Sequence, residues 1–308
     1  MRFGLQLPYI VPFQSRKTLV DWCELIEDGP FSTLMTGERN AYYADFGEIG
    51  QLEKAFRSTY VYDGIYSAYR KRMFGGQADG CPYDQFVVFS QNHDQVGNRA
   101  LGDRLTEHLS VAQLKLAAAT VLLSPYVPLL FMGEEYGERN RFPFFADFSD
   151  PALISAVREG RAAEFKGFQA MGTTGGSAEI MTGGSTMDST LPDPEAEETF
   201  GRAVLSWKAE GGLLEYYKEL IRLRKTRPAL QGRTRDTMVV HPAVGSVLVL
   251  ERKIVNDHVF IFLNFGPEPA RMADLSEQQL RPVFASAAAD RGQVAPWSVM
   301  VCELIDLL

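Results

Sequence analysis

The chain has 308 residues, 45% hydrophobic and 23% charged, which is enough to bury one large core or a large and a small one and is too apolar for general disorder. A net charge of -8 without any basic block excludes nucleic acid as the main partner, because phosphate binding needs clustered Lys and Arg, and small uncharged polar substrates fit better. Cys23, Cys81 and Cys302 are odd in number and widely spaced, so no disulfide framework or zinc knuckle is expected; with no apolar run of about 18 residues, the expected setting is cytoplasmic and free of membrane spans.

In chain order, MRFGLQLPYIVPF is interrupted by Pro8 and Pro12 and lacks a small-residue cleavage site, which argues against a signal peptide. FSTLMTG (31–37) reads as a helix end and IGQLEKAFR (49–57) as a helix. QFVVFS (85–90) is a continuous apolar run suited to a strand buried on both faces. SVAQLKLAAATVLLS (110–124) has Val111, Leu114, Ala118 and Val121 at helical spacing, with Ser110 as N-cap, and VPLLFMG (127–133) is again a buried-strand pattern. Strand, helix and strand at this spacing form a parallel βαβ unit. No series of parallel strands is legible ahead of QFVVFS.

Further on, the Gly-, Ser- and Thr-rich stretch 172–198 lacks any period and reads as a flexible insertion. LLEYYKELIRLRK (213–225) places Leu213, Tyr216, Leu220 and Ile221 on one helical face, and Pro228 closes it. After about residue 232 the texture changes to short alternating strands, TMVVH, SVLVLER, HVFIFLNF and PWSVMVCEL, separated by turn residues.

Asn92, His93 and Asp94 follow QFVVFS directly, and in parallel α/β folds the carboxyl ends of strands face the ligand crevice. A carboxylate, an imidazole and amides suit hydrogen bonding to a polyol; the alternative is an Asx-type turn that merely caps the loop. Glu134 and Glu135 lie just past the next apolar run, so pattern alone pairs one of them with Asp94 at the spacing of retaining glycosidases, against a reading in which one caps the loop and the other is solvated. Phe142, Phe144, Phe145 and Phe148 in RFPFFADF could stack on sugar rings or simply fill a gap. Nucleotide, zinc-protease and serine-hydrolase motifs are absent, and His108, His241 and His258 read as structural or solvated.

FSQNHDQVGNRALGDRL resembles the fourth signature region of the α-amylase superfamily, glycoside hydrolase family 13. TGERNAYYADFG, YVYDGIYSAYR, LLFMGEEYGE, RFPFFADFSD and APWSVMV are similar to a trehalose-releasing branch of that superfamily. The resemblance implies α/β architecture: a divergent segment over 1–32, the C-terminal part of a (β/α)8 barrel over 33–232, and a β-sandwich over 233–308. It implies hydrolysis of the α-1,4 bond beside a terminal trehalosyl unit, without cofactor or metal. The implied ligand is maltooligosyltrehalose or a maltooligosaccharide. Asp94 would stabilise the transition state, and Asn92, His93, Gln95, Val96, Gly97, Asn98, Arg99, Glu134, Phe144 and Phe145 would contact substrate. The family keeps its nucleophile and acid/base ahead of the NHD strand, where this sequence shows neither motif and has WCELIEDGPFST (22–33) instead of the expected cluster. Glu134 and Glu135 then lose both roles. The chain is expected to need a second chain or segment for the rest of the barrel; the alternative is a non-catalytic glucan-binding or structural remnant.

Overall fold

A computed structural model describes residues 47–68, 70–172, 191–209, 211–272, 279–288 and 292–305. The segments 1–32 and 31–37, and the Gly/Ser/Thr-rich stretch from 173 to 190, lie outside these described residues.

The first helix, α1 (Ile49–Ser58), starts at a capping box between Glu48 and Gln51 and buries Leu52, Ala55 and Phe56. An antiparallel hairpin follows, β1 (Asp63–Ser67) with β2 (Arg72–Gly75). Its alternation is weak and most of it is exposed, which is why periodicity did not reveal it.

The expected βαβ unit is present in shortened form. β3 (Val87–Val88) leads to α2 (His93–Asn98), α3 (Leu105–His108), α4 (Val111–Leu122) and β4 (Val127–Pro128), and β3 pairs with β4 in parallel. Ser110 caps α4 and forms a capping box with Gln113, as the sequence predicts. Two expectations fail here. The strand covers Val87–Val88 rather than Gln85–Ser90, because a 3-10 turn occupies Tyr83–Gln85, and it is not buried on both faces: Val87 is 42% and Val127 39% exposed. Among the described residues nothing covers that face, and Leu130 and Met132 also stand exposed in the segment following β4.

After an irregular stretch comes α5 (Pro151–Gly172), a helix that the sequence pattern missed, then α6 (Glu197–Ala203) and α7 (Leu213–Thr226). Residues 191–198, expected within the flexible insertion, carry Asp193 in a bidentate pair with Arg158 at 2.8 Å and the start of α6. α7 buries Leu213, Tyr216, Tyr217, Leu220 and Leu223; Ile221 is partly buried, and a 3-10 turn at Pro228–Gln231 follows.

The remaining strands are β5 (Met238–Val240), β6 (Val247–Ile254), β7 (Asp257–Asn264), β8 (Ala270–Arg271), β9 (Leu280–Ala285), β10 (Gln293–Val294) and β11 (Ser298–Leu304). Five form an antiparallel sheet in the order β5-β6-β7-β11-β9, and β8 and β10 form a separate ribbon. β9 carries Pro282 and lies at the sheet edge, where a missing backbone N–H is tolerated.

Period-2 alternation gives the sheet two apolar faces. Leu248, Leu250, Val259, Ile261, Leu263, Val299 and Val301 join the core built by α1, α4 and α7. Val247, Val249, Phe260, Phe262, Met300 and Cys302 pack with Val294 of the ribbon. Helices and sheet therefore share one core across residue 232. Arg224 ties α7 to the end of α4 and the start of β4, donating to the carbonyls of Leu122, Ser124 and Tyr126, each at 2.6 Å, and buried Arg252 of β6 crosses the join, donating to Gly232 O at 2.8 Å and Leu123 O at 3.4 Å. Burial lowers the Arg252 pKa to about 10, with Arg224 adding repulsion.

Candidate functional site at the carboxyl end of the parallel strands

The chain leaves β3 through buried Ser90, Gln91 and Asn92. Asn92 is the N-cap of α2: its Oδ1 accepts from the Asp94 N–H at 2.7 Å and the Gln95 N–H at 3.3 Å. The side-chain oxygen of Asn92 is thus engaged with backbone, as the turn-capping alternative has it. That cap sets the first turn so that His93 and Asp94 project outward while Val96 and Gly97 turn in. The two outward side chains are each 53% exposed, with His93 Nε2 3.3 Å from Asp94 Oδ1. Together they present an acceptor-rich carboxylate and an imidazole at a strand's carboxyl end, where a polyol could be held and a developing positive charge opposed.

The neighbouring positions divide. Val96 is buried, so its side chain packs inward. Gly97 offers its carbonyl to Arg161 at 3.2 Å, Asn98 is exposed, and the Gln95 Oε1 atom is buried without a partner. Arg99 points back onto Asp103, at 2.5 Å, and sits 3.2 Å from His108, which also bonds Asp103. These partners hold the Asp103 carboxyl below its usual range despite burial. His108 is therefore part of a hydrogen-bonded cluster and not an isolated side chain.

The opposing loop follows β4. Glu134 is buried, with Oε1 accepting from Tyr217 at 3.3 Å and Oε2 lacking a partner. Burial pushes its pKa up to about 8, only partly opposed by hydrogen bonds from the Phe131 backbone, Tyr217 and Gln91. Burial thus favours its protonated form, and it is turned toward α7, whereas Asp94 is open to solvent.

Two buried residues lock the loops together. Arg104 donates to Asn140 O at 2.7 Å and Met132 O at 2.8 Å while its guanidinium lies 4.7 Å from the centre of the Phe131 ring. Gly102 has φ 68°, and a Cβ there would fall 2.1 Å from Pro143 N, so only glycine allows the Phe142 N–H to reach Gly102 O at 2.7 Å. GDRL and FMGEEYGE are thus structural partners, a relationship that only their proximity in space reveals.

The phenylalanines form an edge-to-face series, Phe131 to Phe142 at 5.4 Å, Phe142 to Phe145 at 5.6 Å and Phe145 to Phe200 at 5.3 Å. One face of Phe144 is taken by Arg161, at 4.5 Å. Beside it lies a cleft of about 220 Å³ lined by Ala100, Phe144, Arg158, Arg161 and Pro192. Among the described residues no group of three His, Cys, Asp or Glu is placed to hold a metal ion, and no helix is long and apolar enough to cross a membrane.

No protein-family model matches the chain. Curated proteins do. The chain is 45% identical over 194 residues to malto-oligosyltrehalose trehalohydrolase of Saccharolobus solfataricus, covering 62% of this chain and 30% of the relative. It is 40% identical over 278 residues to the protein of the same name from Brevibacterium helvolum, covering 87% of this chain and 44% of the relative. This chain is related to the malto-oligosyltrehalose trehalohydrolases. Its span is less than half the length of these trehalohydrolase relatives. A crystal structure from Salmonella typhimurium, provisionally called an alpha amylase, superposes with a TM-score of 0.73 and 34% identity over 88% of this chain and 44% of that one. The resemblance read from the NHD region thus extends across most of the trehalohydrolase-like chain.

Proposed function

We propose that this chain forms part of a glycosidase of the trehalohydrolase type, acting on an α-1,4-glucan that ends in a trehalosyl unit and releasing trehalose. The observation that carries the reading is Asp94, presented with His93 on the capped first turn of α2 at the end of β3, in a chain that is 45% identical to a trehalohydrolase over 194 residues. Asp94 opposes the positive charge that develops at the anomeric carbon, and His93 hydrogen-bonds a hydroxyl of the same ring. Gln95, Asn98 and the Phe145 region extend the contact surface, while buried Val96 and Gly97 support the turn from within. Asn92 and Arg99 act by holding the turn.

A retaining mechanism needs a nucleophile and a proton donor as well as a stabiliser. Glu134 is turned to Tyr217, and Glu138 accepts from five groups, so neither serves as nucleophile or proton donor. In this reading the β3-α4-β4 unit belongs to a (β/α)8 barrel and the antiparallel strands to a following sandwich. A chain or segment packed on the exposed Val87 and Val127 face supplies the two missing carboxylates. The substrate is maltooligosyltrehalose, in a cytoplasmic setting.

The test is trehalose release from maltooligosyltrehalose by the purified chain. No release alone, with release restored by a fragment carrying the nucleophile and acid, is the expected result. Clear turnover by the chain alone that Asp94→Ala abolishes would contradict the division of labour. A second reading, a non-catalytic glucan binder, is favoured by the solvent-open Asp94 and predicts glucan-induced thermal stabilisation without any release.

A further inference from the structure

Trp207, in the segment joining α6 to α7, is 75% exposed and has φ 56°, a left-handed conformation that a bulky side chain adopts only under strain. Turning an indole into water at the cost of backbone strain does nothing for the core. The strain is held by its neighbours. Ser206 is clamped on Glu138, the Lys208 N–H donates to Ser206 Oγ at 3.3 Å, and Asn140 Nδ2 donates to Val204 O at 2.7 Å. One face of the indole rests on buried Tyr136, with ring centres 6.0 Å apart and planes 27° from parallel. The indole is therefore seated on Tyr136 while most of it stays exposed. Phe200, 54% exposed on α6, packs on Phe145.

We infer that Trp207 is a docking platform for an α-glucan chain, outside the Asp94 site; the inference rests on the carbohydrate reading above. A pyranose ring offers a flat C–H face that matches an exposed aromatic face. The occupant is a maltooligosaccharide segment at least one ring long, bound by stacking and not by charge. Such a platform retains long glucans on the protein.

The experiment combines affinity electrophoresis through soluble amylose with iodide quenching of indole fluorescence in the presence of maltoheptaose. The wild-type chain is expected to be retarded, and Trp207→Gly to bind about ten-fold more weakly. Glycine also relieves the positive φ, so this variant should melt no lower than wild type. Trp207→Phe should retain most of the retardation, and maltoheptaose should shield an indole from iodide in wild type and in Asp94→Ala, not in Trp207→Phe. Unchanged amylose binding in Trp207→Gly, with binding lost in Asp94→Ala, would overturn the platform and leave the carbohydrate reading standing. Absence of glucan binding in wild type would overturn both.

Discussion

The Glu138 carboxylate accepts from both the backbone N–H of Ser206, at 2.6 Å, and its hydroxyl, at 2.9 Å, binding the loop after β4 to the segment before α7. The Arg139 and Asn140 N–H groups, each at 2.8 Å, and the Tyr136 hydroxyl, at 2.9 Å, complete its shell. These donors outweigh burial and hold the Glu138 pKa down to about 2. Because the folded pKa lies below the unfolded value of about 4.5, the stabilisation is present above pH 4.5 and is lost as pH falls toward 2. Urea titrations from pH 7 to pH 3 should show a steep acid loss. Glu138→Gln should be less stable at pH 7 by about 2 to 3 kcal/mol and flatter on the acid side.

Glu134 has the opposite sign. Its folded pKa of about 8 exceeds the unfolded 4.5, so between these values the folded state holds a proton that the unfolded state releases. Stability falls as pH rises from 4.5 through 8. Glu134→Gln keeps the neutral shape and should gain on wild type from pH 5 to about pH 8 in thermal melts and level off beyond it. A flat difference across that range would show that the carboxyl is ionised in the fold.

Gly102→Ala should be among the most damaging single changes in the site. The added Cβ meets Pro143 N at 2.1 Å and Phe142 C at 2.3 Å, at a φ that alanine resists. A cost of at least about 3 kcal/mol in denaturant titration is expected. An equal alanine substitution at Gly160, where a Cβ meets nothing within 4 Å, should be neutral or stabilising.

The uncovered face of β3 and β4 should drive association. Val87, Val127, Leu130 and Met132 are each exposed, and each strand pairs only with the other among the described residues. Light scattering should show oligomers that Val87→Lys and Met132→Glu shift toward monomer. A monodisperse wild-type monomer would contradict this.

What was legible in the sequence follows from how local each signal is. α4 and α7 declare themselves by 3.6-residue periodicity, and α4 also by the Ser110 cap; both depend on residues within a few positions. The NHD cluster was visible as chemistry, yet its geometry depends on Asn92 acting as a cap, which the apolar run before it does not specify. The Glu138 shell joins residues 68 positions apart, and Trp207 acquires its conformation from that shell, so neither could be read from spacing. β9 was hidden by Pro282, which reads as a strand breaker until its edge position is known. The burial expected of QFVVFS failed because burial depends on what covers a strand as well as on its own composition.

The most direct measurement of the central claim is calorimetric titration of the chain with maltooligosyltrehalose, wild type against Asp94→Ala. Binding that weakens at least about ten-fold in the variant, with its melting temperature unchanged, is the expected result, since Asp94 is half exposed and, among the described residues, its side chain contacts only His93. Equal binding by both proteins, or none by wild type, would contradict the assignment of this strand end as the sugar site.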